Sequence, residues 1–295
     1  MLPRSPRRCY VRGQSESQPT LIMKTFSQHC LLRVGVAVCR GALLAALVLT
    51  PAPRAACEAA ESGPASATKD KPWVNSLGMK FVPVAGTEVL FSVWDTRVQD
   101  YAAFATATAR EWKKTSFEQG PTHPAVNMSW NDAQAFAKWL TEKERTAGKL
   151  GAGQSYRLPA DWEWSVAVGL NEARGGTPKE KDGKITNVYP WGAGFPPPRG
   201  AGNYAKSLNV DDFDNTSPVG SFAANKFGLF DMGGNVWQWC EDFHDGTGGR
   251  RVQRGGSWFY FTPQTLLSSY RNLSSPGIRY DTVGFRLVLV VGALL

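Results

Sequence analysis

Regular alternation of apolar and polar positions begins only near Trp73. Met79–Val84 (MKFVPV) reads as a strand, and Thr87–Trp94 reads as its continuation after a turn at Gly86. Helical spacing follows: Val98, Tyr101, Ala102 and Ala105 make one apolar stripe, and Thr96 with Gln99 has the spacing of a capping box. Ser129 and Asp132 repeat that spacing ahead of Ala133, Phe136, Ala137 and Leu140, with Gly148 near the far end. A short third helix is expected after Pro159, although Ala160 lacks a side-chain oxygen to cap it. Periodicity alone predicts an α+β fold.

Between Gly169 and Gly220 the pattern is lost. A long irregular stretch inside a folded domain needs something to order it, because chain entropy and unpaired backbone groups both oppose it; bound metal ions are one answer. The segment Asn225–Trp239 (NKFGLFDMGGNVWQW) then concentrates backbone freedom beside aromatic bulk. Gly228, Gly233 and Gly234 permit close backbone approach, while Trp237 and Trp239 can each bury a large area. Asp231, Asn235 and Gln238 supply oxygens that either cap the loop's own backbone or point at a hard cation.

Charge changes the picture by its location. Through Cys57 there are eight Lys/Arg against Glu16 alone, whereas the rest has 25 against 24, so most of the net +8 lies in the leader. The remaining domain is nearly neutral, which excludes a basic nucleic-acid groove. Gly41–Thr50 (GALLAALVLT) is too short to span a bilayer, and with the preceding basic residues and the alanines at 52, 55 and 56 it predicts a secretory signal peptide over residues 1–57. Met23 is an alternative start within it. Export to a secreted or periplasmic location is expected. Cys57 is a candidate lipid anchor that Arg54 disfavours. Residues 58–72 read as a flexible linker, and 73–295 as the folded domain. Cys9, Cys30, Cys39 and Cys57 belong to the leader or its edge, so Cys240 has no partner for a disulfide in the domain and reads as a small buried hydrophobe.

Five ordered motifs carry a resemblance: HPAVNMSWNDAQAFAKWL (His123–Leu140), YRLPADWEWSVAV (Tyr156–Val168), YPWG (Tyr189–Gly192), SPVGSF (Ser217–Phe222), and GLFDMGGNVWQWCEDF with RGGSW and GFRLV. From about Ser76 to Leu289 the chain resembles the formylglycine-generating enzyme, or sulfatase-modifying factor, family. The resemblance implies a variant of the C-type-lectin fold, with two main helices on small antiparallel sheets and much irregular chain. It also implies structural calcium: Asn203, Asp211 and the carbonyls of Tyr204 and Phe213 match one site, and Asp231, Gln238 and the carbonyls of Gly234 and Val236 match the other. Gln238 stands where the family usually has Glu, a loss of charge that Asp231 could restore.

The family's oxidases bind copper(I) through two cysteines and convert a sulfatase cysteine to formylglycine. The matching positions here are Tyr260 and Thr265, neither of which substitutes for a soft thiolate. Trp237 and Ser257 match the positions that line the oxygen pocket, and packing and turn roles are the favoured reading of both. His123 and His244 lack metal-ligand spacing, and Gly255 and Gly256 do not match a phosphate-binding loop. The favoured expectation is a secreted binding or scaffold module. Its candidate groove for a protein, peptide or small ligand comprises Trp258, Phe259, Tyr260, Phe261 and Tyr270. The alternatives are an oxidase with altered metal chemistry and a diversified lectin-like display protein. The single asparagine between Trp258 and Phe285, Asn272, counts against the last. Arg254, Arg271, Arg279 and Arg286 are expected mainly to fix loops.

Overall fold

A computed structural model describes residues 63–292. The leader, including Met23 and Cys57, and linker residues 58–62 lie outside the described residues. The remainder of the expected linker has defined contacts: Pro64–Ser66 form a 3-10 turn with Pro64 buried, and the Lys69 ammonium donates to the Lys226 carbonyl at 3.0 Å.

The apolar alternation near the start builds strands β1 (Trp73–Val74), β2 (Lys80–Pro83) and β3 (Val89–Ser92), which pair antiparallel in that order. Helices α1 (Val98–Ala107) and α2 (Trp130–Thr146) follow, then β4 (Ser155–Arg157), α3 (Asp161–Val168) and α4 (Pro178–Lys181). A hairpin of β5 (Val188–Tyr189) and β6 (Gly192–Ala193) interrupts the irregular region. The last third contributes β7 (Trp237–Phe243), β8 (Arg251–Arg254), β9 (Asn272–Ser274), β10 (Val283–Gly284) and β11 (Val288–Val290).

Two sheets result, one in the order β1-β2-β3-β11-β4 and one in the order β10-β7-β8-β9. All pairs are antiparallel except β10 with β7, where Val283 faces Trp237 in parallel register. The late strand β11 sits between β3 and β4, so Leu289 pairs with both Leu90 and Tyr156. Tyr101, Phe104 and Phe136 pack the two long helices together, and Phe136 reaches Phe285 at a ring separation of 5.5 Å. Trp237 and Trp239 join the same apolar cluster as Leu90, Tyr156 and Leu289, which makes the sheets share one core.

The α2 cap is as the spacing predicts. The Asp132 carboxylate accepts from the Ser129 N–H at 2.9 Å, and the Asp132 N–H donates to the Ser129 hydroxyl at 3.2 Å. The start of α1 is one residue later than the Thr96–Gln99 spacing predicts. Asp100 closes on Arg97, accepting from its backbone N–H at 3.0 Å and from its guanidinium at 2.9 Å. A bidentate charged partner outweighs a hydroxyl cap, and Thr96 is left buried. At α3 the missing hydroxyl of Ala160 is compensated from β7, where the Asp242 carboxylate accepts from the Asp161 N–H at 2.6 Å.

Candidate functional site

The glycine and tryptophan segment before β7 is held by close backbone approach. Gly234 has φ +78°, and a Cβ there would lie 2.4 Å from the Asn203 carbonyl oxygen. Its N–H donates to Gly255, and the next N–H, of Asn235, donates to the Asn203 carbonyl at 2.8 Å. The Asn235 amide pairs with both backbone groups of Ser217, at 3.1 Å each. These bonds pair the Asn235 amide with a segment 18 positions earlier.

In the first calcium set, Asp211 adjoins the Tyr204 and Phe213 backbones. The two carboxylate oxygens of Asp211 accept from the N–H groups of Tyr204 and Phe213, each at 2.9 Å. The Asn203 Nδ2 donates to Asn215 at 2.7 Å, while its Oδ1 is buried with no partner. The orphaned Asn203 oxygen is the one buried acceptor of this set that a hard cation would satisfy.

The second set does not fit through Gln238. Its Oε1 accepts from Trp164 Nε1 and from Arg286 Nε, both at 2.8 Å, and its Nε2 donates to the Asp231 carbonyl at 2.7 Å. The positive charge in this pocket is the Arg286 guanidinium, which also donates to Ser92 and Phe230 carbonyls at 3.0 and 2.7 Å. Asp231 accepts from the Gly220 N–H at 2.8 Å, and burial pushes its carboxyl up to about 6 against that bond and Arg286. Asp95 lies on the other side of Arg286 at 3.6 Å, fully buried. Desolvation, opposed by Arg286 and reinforced by Asp231, raises it to about 8.

The other arginines are structural, as expected. Asp161 receives Arg254 at 2.5 Å and Arg271 at 3.0 Å, and Arg271 continues to Glu172 at 2.5 Å. Burial opposes ionisation of Asp161, but the two guanidinium groups outweigh it and hold the carboxyl below its ordinary value. Arg279 pairs with Asp132 at 2.7 Å. Cys240 is fully buried in β7, where burial raises its thiol. His123 Nδ1 lies 3.0 Å from the Thr216 hydroxyl, and neither histidine belongs to a metal-binding cluster among the described residues.

Tyr260 and Thr265 stand in a turn after β8. The Tyr260 N–H donates to Ser257, its carbonyl accepts from Ala205, and its ring meets Trp237 edge-on at 5.1 Å. The Thr265 hydroxyl lies 2.8 Å from that of Thr262 and 3.1 Å from the Thr262 carbonyl, so it is engaged in its own turn. Ser257 is buried and its hydroxyl accepts from the Phe259 N–H at 3.4 Å.

An open groove of about 480 Å³ lies beside this turn, lined by Trp237, Trp258, Phe259 and Tyr260 with Asn272, Asp281 and neighbouring residues. Of the aromatic residues expected there, Trp258, Phe259 and Tyr260 line it. Phe261 is exposed outside that lining, and Tyr270 packs behind Trp237 with rings 5.9 Å apart, its carbonyl accepting from Arg254. Tyr280 lines the groove as well. No periodicity singles it out in the loop before β10; its only sequence signal is the nearby Pro276–Gly277 turn.

An α+β, C-type-lectin-like domain with this motif order defines one class of protein. The sulfatase-modifying factor enzyme 1-like domain profile (FGE-sulfatase) matches residues 43–291, and the chain belongs to that family. The formylglycine-generating enzyme of Thermomonospora curvata is 34% identical over 210 residues, covering 60% of this chain and 59% of that protein. The inactive C-alpha-formylglycine-generating enzyme 2 of Mus musculus is 36% identical over 179 residues, covering 57% of this chain and 50% of that one. The chain thus spans between half and three fifths of the length of these relatives. The solved structure of PvdO from Pseudomonas aeruginosa shares the fold, with a TM-score of 0.50 and 24% identity over 68% of this chain and 80% of that one. Among the described residues, no helix is long and apolar enough to cross a membrane.

Proposed function

We propose that this chain is an exported, non-oxidase member of the family that binds a ligand in its aromatic groove. One observation carries the reading: the positions matching the copper cysteines are Tyr260 and Thr265, and the Thr265 hydroxyl is already engaged with Thr262. Copper(I) takes soft sulfur, and Cys240, the one cysteine among the described residues, is buried in a strand. Incubating the purified chain with copper, O₂ and a cysteine peptide derived from a sulfatase is expected to give no aldehyde and no stoichiometric copper(I) binding. Aldehyde formation, or one tightly held copper(I) per chain, overturns the reading. The basic leader and its short apolar core support export; a processed chain recovered outside the cytoplasm is the expected result of fractionation.

Asn203, Asp211 and the carbonyls of Tyr204 and Phe213 would hold a structural calcium ion. Bound there, calcium would supply positive charge to a partly buried set of oxygens. The chain's own part is to present the Asn203 oxygen and to fix Asp211 through two backbone N–H groups. Because the Ala205 N–H donates to the Tyr260 carbonyl at 3.2 Å, the loop that carries this set also supports the groove rim. A ligand bound only to the folded state adds stability by mass action. EDTA is therefore expected to lower the unfolding temperature, and an unchanged midpoint removes calcium from the proposal.

A further inference from the structure

The groove combines partly exposed aromatic rings with an acidic residue that no described cation pairs. Trp258 and Phe259 meet at 83° with centroids 5.7 Å apart, and Phe259 and Tyr260 at 80° and 6.0 Å. Successive rings at near right angles form the walls of a corner instead of a stack. Phe259 is 60% exposed and Tyr280, in the same lining, is 51% exposed, so ring area is left to solvent.

Elsewhere several aromatic faces carry the chain's own cations. Arg251 lies over Trp130 at 3.8 Å and Phe243 at 3.4 Å, Arg174 over Trp162 at 4.2 Å, and Lys114 over Trp112 at 4.2 Å. Among the described residues, no lysine or arginine sits over Trp237, Trp258, Phe259, Tyr260 or Tyr280. Asp281 is the one charged residue lining the groove, and no described cation pairs with it. Its carbonyl accepts from Trp258 Nε1 at 3.3 Å, which holds the carboxylate's residue against the aromatic corner. Trp237, 1% exposed, adds a buried indole N–H without a partner.

We infer that the groove binds a small molecule carrying a quaternary ammonium group, with the Trp258, Phe259, Tyr260 and Tyr280 rings around the cation and Asp281 balancing its charge. A methylated ammonium is attracted to ring faces but cannot be drawn away by hydrogen bonding to water as a primary amine is. A space of about 480 Å³ is the size of a small-molecule site. The inference rests on the groove being a ligand site. It is independent of whether the chain also turns over a cysteine peptide.

The test uses the full chain and two isosteric probes, choline and its uncharged carbon analogue 3,3-dimethyl-1-butanol, followed by tryptophan fluorescence and by saturation-transfer NMR of the methyl groups. Choline is expected to bind saturably, about tenfold or more tighter than the alcohol, the ratio that cation attraction to two or more rings supplies. Asp281→Asn is expected to weaken choline several-fold, leave the alcohol unchanged and keep the wild-type unfolding midpoint. Equal binding of the two probes overturns the inference while leaving an apolar ligand groove in place. Binding of neither overturns it too, and the copper assay then decides the non-oxidase reading separately. Binding to phosphatidylcholine vesicles without binding of free choline also overturns it, since the occupant would then be a membrane surface.

Discussion

At Asp95, burial outweighs charge pairing. Neither carboxylate oxygen accepts a hydrogen bond, and a guanidinium at 3.6 Å does not offset full desolvation, so the carboxyl rises from 3.8 to about 8. A folded-state value above the unfolded one means that the folded chain binds more protons. The resulting stabilisation is complete at acid pH and is lost as pH climbs from about 4 through about 8. Asp161 has the opposite sign: its lowered value stabilises above the ordinary carboxyl range and loses that contribution as pH falls. Asp95→Asn is therefore expected to flatten the decline of stability between pH 5 and 8, by up to about 1.4 kcal/mol per pH unit. Urea unfolding of both proteins across that range checks it, and parallel slopes would show that Asp95 does not titrate there. In the sequence, the motif position and oxygen of Gln238 suit a cation ligand. What spacing does not show is that Arg286, 48 positions later, directs its guanidinium to the same oxygen.

At the scale of elements, local chemistry was legible wherever partners were close in sequence. The Ser129–Asp132 box is complete within four residues, and α2 begins where its spacing predicts. Ser129→Ala is expected to cost about 1 kcal/mol, the ordinary value of a lost N-cap, measured as a shift in denaturant midpoint at constant m-value. The α1 start lies one residue later than its spacing predicts because an Arg–Asp pair can replace a hydroxyl cap, and the Asp242 cap on α3 comes from a strand 81 positions away. Glycine function was legible as freedom but not as a contact. Gly234→Ala is expected to destabilise far more than the roughly 1 kcal/mol that a helix glycine substitution involves, because both the positive φ and the Asn203 oxygen oppose a Cβ. A near wild-type unfolding midpoint for that variant would mean that the loop shifts away from Asn203 without losing its other bonds.

For the whole molecule, topology was the least legible level and the family resemblance supplied most of it. Nothing in VGFRLVL announces that its last strand pairs on both sides with segments some 130 and 200 positions earlier. The consequence is cooperative stability. Leu289 is fully buried between Leu90 and Tyr156, in the same apolar cluster as Trp237 and Trp239 of the other sheet. Leu289→Ala is expected to cost about 2–5 kcal/mol, the range for emptying a packed leucine site. Since both sheets border that cluster, slow amide exchange should accelerate by a similar factor in β3 and in β8. Loss of protection in β3 with β8 unchanged would show that the two sheets open independently, and the groove beside β8 would then stand on a base of its own.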